Sequence, residues 1–221
     1  ARAIAEAIDE LDMGGKAVSV YGIGCSDFLY YTLYVDTIFG PHGRAPDIAT
    51  AAKRAYPDNL VFVMEGDGAL MAIGAESFLG ALTRAEKITV IMFNNTVYGT
   101  TGGQLAPTTL VGQVTGTTPK GREPTREGFP THTAEMVTTF KGVAYSARGA
   151  FNNPYNYERT KGYIKTAFQK QIDNIGLSFV EALCACPTNW HMTPEESLKW
   201  IEEEMIREFP LGEFKNVDKI E

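Results

Sequence analysis

Apolar residues recur at two different spacings along the chain, and the switches between them outline a layered fold. Residues 1–11 put Ile4, Ile8 and Leu11 on one helical face, and Gly14-Gly15 ends the pattern. Residues 17–21 then form a short apolar run closed by the turn Gly22-Ile23-Gly24-Cys25, which predicts a strand that delivers a cysteine to a loop. An aromatic-rich stretch and the loop Gly40-Pro41-His42-Gly43-Arg44 lead to a predicted helix over 47–56, closed by Pro57. Residues 60–64 and 88–93 are continuous apolar runs of the kind that sheets bury on both faces. The first feeds Gly66-Asp67-Gly68 and the second feeds Asn94-Asn95, with a weakly helical segment over 70–84 between them. A strand near 143–146, a helix over 157–175, a strand over 178–183 and a helix over 195–208 complete the alternation. The expected fold class is α/β, a doubly wound, mostly parallel sheet forming one domain over residues 1–221. In such a sheet the ligand site lies beyond the carboxyl ends of the strands, where Cys25, Asp67 and Asn94 all fall. Residues 98–130, rich in Thr, Gly and Pro, are too long for an ordinary connection, so a cofactor or partner is expected to order them.

Composition narrows the function. With 44% hydrophobic and 21% charged residues among 221, the chain can bury a sizeable core. A formal net charge of −7, with Lys and Arg scattered, leaves no electrostatic footprint for nucleic acid. No apolar run approaches the length that crosses a bilayer and none has the form of a secretion signal, so a cytoplasmic protein with no membrane partner is expected. Three cysteines, Cys25, Cys184 and Cys186, are too sparse for a disulfide scaffold and are read as thiols or ligands. Because the sequence begins at Ala1 inside a helical pattern, an N-terminal segment is expected to precede it.

Asp67 stands between two glycines at a strand end, where a diphosphate can approach main-chain N–H groups closely. A diphosphate also calls for a counter-cation, and magnesium prefers hard oxygen ligands such as a carboxylate. Asn95 follows far enough along the chain for one helix and one return strand, which brings it beside Asp67 on the neighbouring strand. Gly-Asp-Gly alone is usually only a turn; paired with Asn-Asn in this strand context it reads as a site.

The paired motif resembles that of the thiamine diphosphate enzymes. The resemblance implies a Mg2+ ion held by Asp67, Asn95 and the backbone carbonyl of Val97. The runs Gly24-Cys25-Ser26, His42-Gly43-Arg44-Ala45-Pro46, Gly66-Asp67-Gly68, Phe93-Asn94-Asn95, Tyr98-Gly99, Thr101-Gly102-Gly103-Gln104 and Cys186-Pro187-Thr188-Asn189-Trp190 look like the β subunit of the 2-oxoacid:ferredoxin oxidoreductases. Ala106-Pro107-Thr108-Thr109, with the run from Pro187 to Pro194, is most similar to the branched-chain, 2-oxoisovalerate type. This resemblance implies oxidative decarboxylation of a 2-oxoacid to an acyl-coenzyme A, with electrons passing through a 4Fe-4S cluster to ferredoxin. It also implies an α subunit that carries the glutamate activating the cofactor, with γ and δ subunits in the same complex. Gly24, Cys25, Ser26, His42, Gly66, Gly68, Tyr98, Gly99 and Thr101 become candidate cofactor contacts; Gly102 and Gln104 are expected with Thr101 to line the pocket, and Thr109 and Gln113 are weaker candidates.

His42 and Arg44 are the candidate catalytic residues, His42 against the cofactor or substrate carboxylate. Each has a plainer alternative: His42 as a solvated loop histidine, Arg44 paired with a structural carboxylate such as Asp47. Cys25 and Cys186 are the candidate cluster ligands. Cys184 competes with Cys186, and three inert core thiols are the bland alternative. A four-iron cluster usually takes four cysteines, and the family's Cys-x-x-Cys pair has no counterpart before Cys25. Ala69 also departs from relatives with an acidic residue after the glycine. Glu65 is expected to bond nearby backbone, and His132 and His191 to be ordinary loop residues. Two other functions fit the same cofactor: a subunit of a non-redox thiamine diphosphate decarboxylase or synthase, and a non-catalytic cofactor-binding domain.

Overall fold

The structure, a computed structural model, describes residues 1–220. Helix α1 (Arg2–Glu10) precedes β1 (Ala17–Tyr21), β2 (Asp36–Phe39), α2 (Ala45–Ala55) and β3 (Leu60–Gly66). Helix α3 (Ala75–Thr83) and β4 (Thr89–Asn94) follow, then a small hairpin of β5 (Val97–Tyr98) and β6 (Gln104–Leu105). After short helices α4 (Pro124–Glu127) and α5 (Thr133–Met136) come β7 (Val143–Ala150), α6 (Pro154–Ile172) and β8 (Leu177–Leu183). Helices α7 (Pro187–Trp190) and α8 (Pro194–Trp200), further helical turns and β9 (Gly212–Asn216) close the chain.

The main sheet has the order β2-β1-β3-β4-β8-β7-β9. All neighbours run parallel except β9, which lies antiparallel on β7. The doubly wound, mostly parallel fold expected from the sequence is therefore present. The chain passes from β1 out to β2 and then crosses back to β3 on the other side of β1, which opens a crevice at the carboxyl ends of β1 and β3.

Alternation along each central strand feeds two cores. Val61, Val63, Val90 and Met92 face α2 and α3, meeting Ala49, Phe78 and Leu82. Phe62, Met64 and Ile91 face α1 and α6, meeting Ile4, Ile8, Ile164 and Phe168. A third cluster of Ile201, Met205 and Phe209 covers Leu183 and Leu110. Helix α6 starts where the Asn153 side chain accepts from the Asn156 amide at 2.8 Å, with Pro154 in the first turn.

The strands read from apolar runs lie where expected, but two edge strands do not announce themselves. Strand β2 sits inside the aromatic stretch with every position at least partly exposed, and β9 is mixed polar throughout, so neither carries a buried-strand pattern. The helix expected over 70–84 is broken at Gly74 into a wider turn (Ala69–Ile73) and α3. Gly74 packs directly on the Gly43 backbone: a Cβ there would lie 2.3 Å from the Gly43 carbonyl oxygen. Residues 98–130 are held by their own bonds. The buried Arg122 guanidinium donates to the carbonyls of Pro107, Thr109, Glu127, Gly128 and Phe129, tying the loop into one body.

Phe168 is fully buried, with its ring 5.2 Å from that of Phe62. Phe168→Ala is expected to destabilise the chain by about 3–5 kcal/mol, read as a lower urea midpoint with an unchanged slope.

Candidate cofactor and metal site

Four strands end at one edge. The turn after β1 carries Gly24, Cys25 and Ser26, and the end of β3 carries Gly66, Asp67 and Gly68. The end of β4 carries Asn95, and the end of β8 carries Cys184 and Cys186. They enclose a cavity of about 580 Å³. Its walls include every site residue expected from the sequence on those turns, together with His42, Val97, Tyr98, Gly99 and Thr101. Arg44 is not in that wall: its guanidinium pairs with Glu76 at the start of α3. Gln104, Thr109 and Gln113 also lie outside it.

Asp67 is 1% exposed. The Gly68 amide donates to its Oδ1 at 2.9 Å, and the Thr108 hydroxyl donates to Oδ2. Burial pushes its carboxyl up to about 7, against the pull of those two bonds and with the help of the nearby Glu181 charge. No cationic side chain pairs with it among the described residues. Glu65, likewise 1% exposed, is also pushed up to about 7 by burial, opposed by the amides of Ala45 and Gly43, which it faces without closing a bond to either.

The turn after β4 is tight. Thr96 adopts a left-handed φ of 62°, unusual for a β-branched residue. The Asn94 side chain accepts from the Thr96 amide at 3.0 Å, and Asn95 Oδ1 lies 3.4 Å from the Val97 amide. Thr109 donates to the Thr96 carbonyl at 2.5 Å and Gln113 to the Thr96 hydroxyl at 2.8 Å. These two residues, expected as cofactor contacts, act from beneath the turn. The Tyr98 hydroxyl donates to the Gly68 carbonyl at 3.0 Å, and a Cβ on Gly68 would lie 2.4 Å from the Tyr98 ring. Only glycine lets the two motifs meet.

The thiols converge on Gly99. A Cβ there would stand 3.1 Å from Cys25 Sγ, 3.2 Å from Asn95 Nδ2 and 3.6 Å from Cys186 Sγ. Cys25 Sγ lies 3.0 Å from the Thr100 hydroxyl, and Cys186 Sγ accepts from Asn189 Nδ2 at 3.2 Å. Cys184 differs: its thiol faces the Asn94 carbonyl at 3.7 Å, and burial pushes its ionisation well above the ordinary range. The three thiols therefore differ in surroundings: Cys25 and Cys186 each meet a polar side chain, and Cys184 a backbone carbonyl.

A desolvated carboxylate, an amide oxygen and a strand-end carbonyl are hard donors of the kind magnesium takes beside a diphosphate, and Asp67 has a charge to be offset. For a four-iron cluster, which usually takes four cysteines, Cys25 and Cys186 would be two of the donors. Among the described residues no group of three or more His, Cys, Asp and Glu side chains is placed to hold a metal ion. Nothing in the sequence singles out Thr100 or Glu181, and Thr108 and Asn189 stand there only within family-like runs; their roles depend on contacts across loops and strands.

An open parallel sheet with a diphosphate turn and an asparagine turn on adjacent strand ends defines a thiamine diphosphate-binding domain. Residues 22–182 match the family of thiamine pyrophosphate enzymes, C-terminal TPP binding domain. The chain is 41% identical over 213 residues to ketoisovalerate oxidoreductase subunit VorA of Methanothermobacter thermautotrophicus, a match covering 96% of this chain and 45% of that one. It is 34% identical over 237 residues to 2-oxoglutarate synthase subunit KorB of Methanocaldococcus jannaschii, covering 98% and 83%. Its fold matches the 2-oxoglutarate:ferredoxin oxidoreductase of Magnetococcus marinus with a TM-score of 0.78 at 23% identity, over 98% of this chain and 79% of that one. The chain belongs to the β subunits of the 2-oxoacid:ferredoxin oxidoreductases. It spans about 45% of the length of the VorA relatives.

Both buried carboxyls are raised, so the folded metal-free protein keeps protons that the unfolded chain releases. Their contribution to stability is therefore full below the ordinary carboxylate range and is lost as pH rises through about 7. Asp67→Asn should flatten that decline in urea unfolding without divalent cations. An unchanged pH profile in the variant would mean that the Asp67 charge is not desolvated.

Proposed function

We propose that this chain holds the magnesium thiamine diphosphate of a branched-chain 2-oxoacid:ferredoxin oxidoreductase. In this reading Asp67, Asn95 and the Val97 carbonyl hold the metal, and the glycine turn at Gly66 and Gly68 leaves room for the diphosphate. Cys25 and Cys186 each contribute a thiolate to a 4Fe-4S cluster, whose remaining ligands come from outside this sequence. The observation that carries the reading is the meeting of Asn95, Cys25 and Cys186 around Gly99, one strand end from the buried Asp67. When bound, the cofactor supplies the carbon nucleophile for decarboxylation and releases electrons to the cluster.

The chain's own residues bind, orient and exclude water. Tyr98 closes the cavity against Gly68, and His42 presents its ring from a loop whose Gly43 packs on the backbone of Gly74. Arg44, held by Glu76, fits a role in fixing that loop better than contact with substrate. The similarity to ketoisovalerate oxidoreductase subunits supports a branched-chain 2-oxoacid as substrate; in the proposed reaction coenzyme A is the acyl acceptor and ferredoxin the electron acceptor. An α subunit supplies the cofactor-activating carboxylate and covers the face around residues 98–113, where Val111 is 49% exposed. The paired thiols favour this redox reading over a non-redox decarboxylase or synthase subunit and over a non-catalytic domain.

Asp67→Ala should abolish magnesium-dependent thiamine diphosphate binding, and Asn95→Ala should weaken it nearly as much, both measured by calorimetry. Unchanged affinity in either variant removes that residue from the metal site. In the complex prepared without air, Cys25→Ser and Cys186→Ser should each lower iron content while Cys184→Ser leaves it intact. Acyl-coenzyme A formation should be fastest with 2-oxoisovalerate among straight, branched and acidic 2-oxoacids; preference for 2-oxoglutarate would overturn the substrate assignment.

A further inference from the structure

A row of buried polar side chains crosses three adjacent strands and ends at the Asn94–Val97 turn. On β7, Arg148 is fully buried and registers opposite Glu181 of β8, itself fully buried. Arg148 Nε donates to Glu181 Oε2 at 2.9 Å, and Asn94 Nδ2 of β4 donates to Glu181 Oε1 at 2.7 Å. The other side of the same amide, Asn94 Oδ1, accepts from the Thr96 amide at 3.0 Å. Arg148 is held in turn by Glu135 and by the Pro210 carbonyl, with its guanidinium carbon 5.3 Å from the Phe209 ring centre and 5.0 Å from that of Phe214.

Stability alone does not account for this row. Desolvating an ion pair costs several kcal/mol, and well-packed apolar side chains of similar volume often serve a core as well or better. The row does settle the orientation of one amide. An ionised glutamate only accepts, so Asn94 must turn its NH2 toward Glu181 and its oxygen toward Thr96. Arg148 donates to the other oxygen of the same buried carboxylate. The oriented oxygen then holds the left-handed Thr96, and with it the backbone that carries Asn95 and Val97.

We infer that Arg148 and Glu181 are positioning residues for the proposed magnesium site, acting through Asn94 on the turn that presents Asn95 and the Val97 carbonyl. The inference rests on the reading of those two residues as metal ligands. Neither Arg148 nor Glu181 lines the cavity, so their contact route to the metal runs through the turn, beside the through-space effect of the Glu181 charge on Asp67. Outer partners of metal ligands commonly change metal affinity by about 10–100-fold when removed.

The test uses the native complex carrying the full subunit, with thiamine diphosphate binding followed by calorimetry across a magnesium titration and thermal unfolding recorded in parallel. The double variant Arg148→Met/Glu181→Met removes both charges without stranding either. It should raise half-saturating magnesium by about 10–100-fold while keeping a thermal midpoint close to that of the parent. Glu181→Gln, which leaves Arg148 paired with Glu135, should shift it in the same direction and serves if the double variant does not fold. A parent that depends on magnesium, with Glu181→Gln and any folded double variant showing the same half-saturation, overturns the positioning role and leaves the row structural. A parent whose cofactor binding ignores magnesium overturns the metal reading and this inference together.

Discussion

Asp67 is held out of water at the end of a central strand, with its proton affinity lifted by that burial. A charge so placed needs either a proton or a cation, and the surroundings are arranged for both outcomes. Thr108 and Gly68 bond the carboxylate without neutralising it, and no Lys or Arg reaches it among the described residues. The proposed magnesium diphosphate would meet that demand with a doubly charged ion close to a fixed acceptor. The rest of the site follows from keeping this carboxylate dry: Tyr98 lies against Gly68, and the loop over residues 98–130 is tied by Arg122 so that Thr108 stays in place.

Parallel topology makes the cluster of turns possible. Because β1, β3, β4 and β8 are neighbours running the same way, their carboxyl ends form one rim, and residues far apart in the chain meet there. Small residues set the closeness of the approach. Gly68 admits the Tyr98 ring, Gly99 admits two sulfurs and an amide, and Gly43 lies against the backbone of Gly74. A methyl group at Gly68 or Gly43 would collide with its neighbours, and one at Gly99 would crowd the Cys25 thiol and the Asn95 amide.

The three cysteines show how environment sorts chemically identical groups. Cys25 and Cys186 each have a side-chain hydrogen-bond partner, Thr100 and Asn189. Cys184, two residues before Cys186, bonds a backbone carbonyl instead, and burial pushes its thiol's ionisation up. In the proposed enzyme, this difference would leave Cys25 and Cys186 to serve the cluster and Cys184 to serve the core.

Much of the site was legible in the chain because strand ends and glycine turns leave local marks. Gly66-Asp67-Gly68 after one apolar run and Asn94-Asn95 after the next already implied adjacent turns, and the buried strands declared themselves by continuous hydrophobicity. The edge strands β2 and β9 left no such mark, because burial writes the pattern and edges are only half buried. The role of Arg44 was ambiguous in sequence, since a guanidinium next to a glycine loop can meet a substrate or a carboxylate, and only the packing of α3 brought Glu76 to it. The roles of Thr108, Asn189 and the Arg148–Glu181 pair were likewise silent: a hydroxyl, an amide or an ion pair acquires its role from what stands opposite in space. The sequence by itself determined the strand order's raw material and the chemistry at each turn, through short-range patterns of burial and backbone freedom. Tertiary structure alone decided which side chains support that chemistry, because hydrogen bonds and desolvation depend on neighbours brought in from distant parts of the chain.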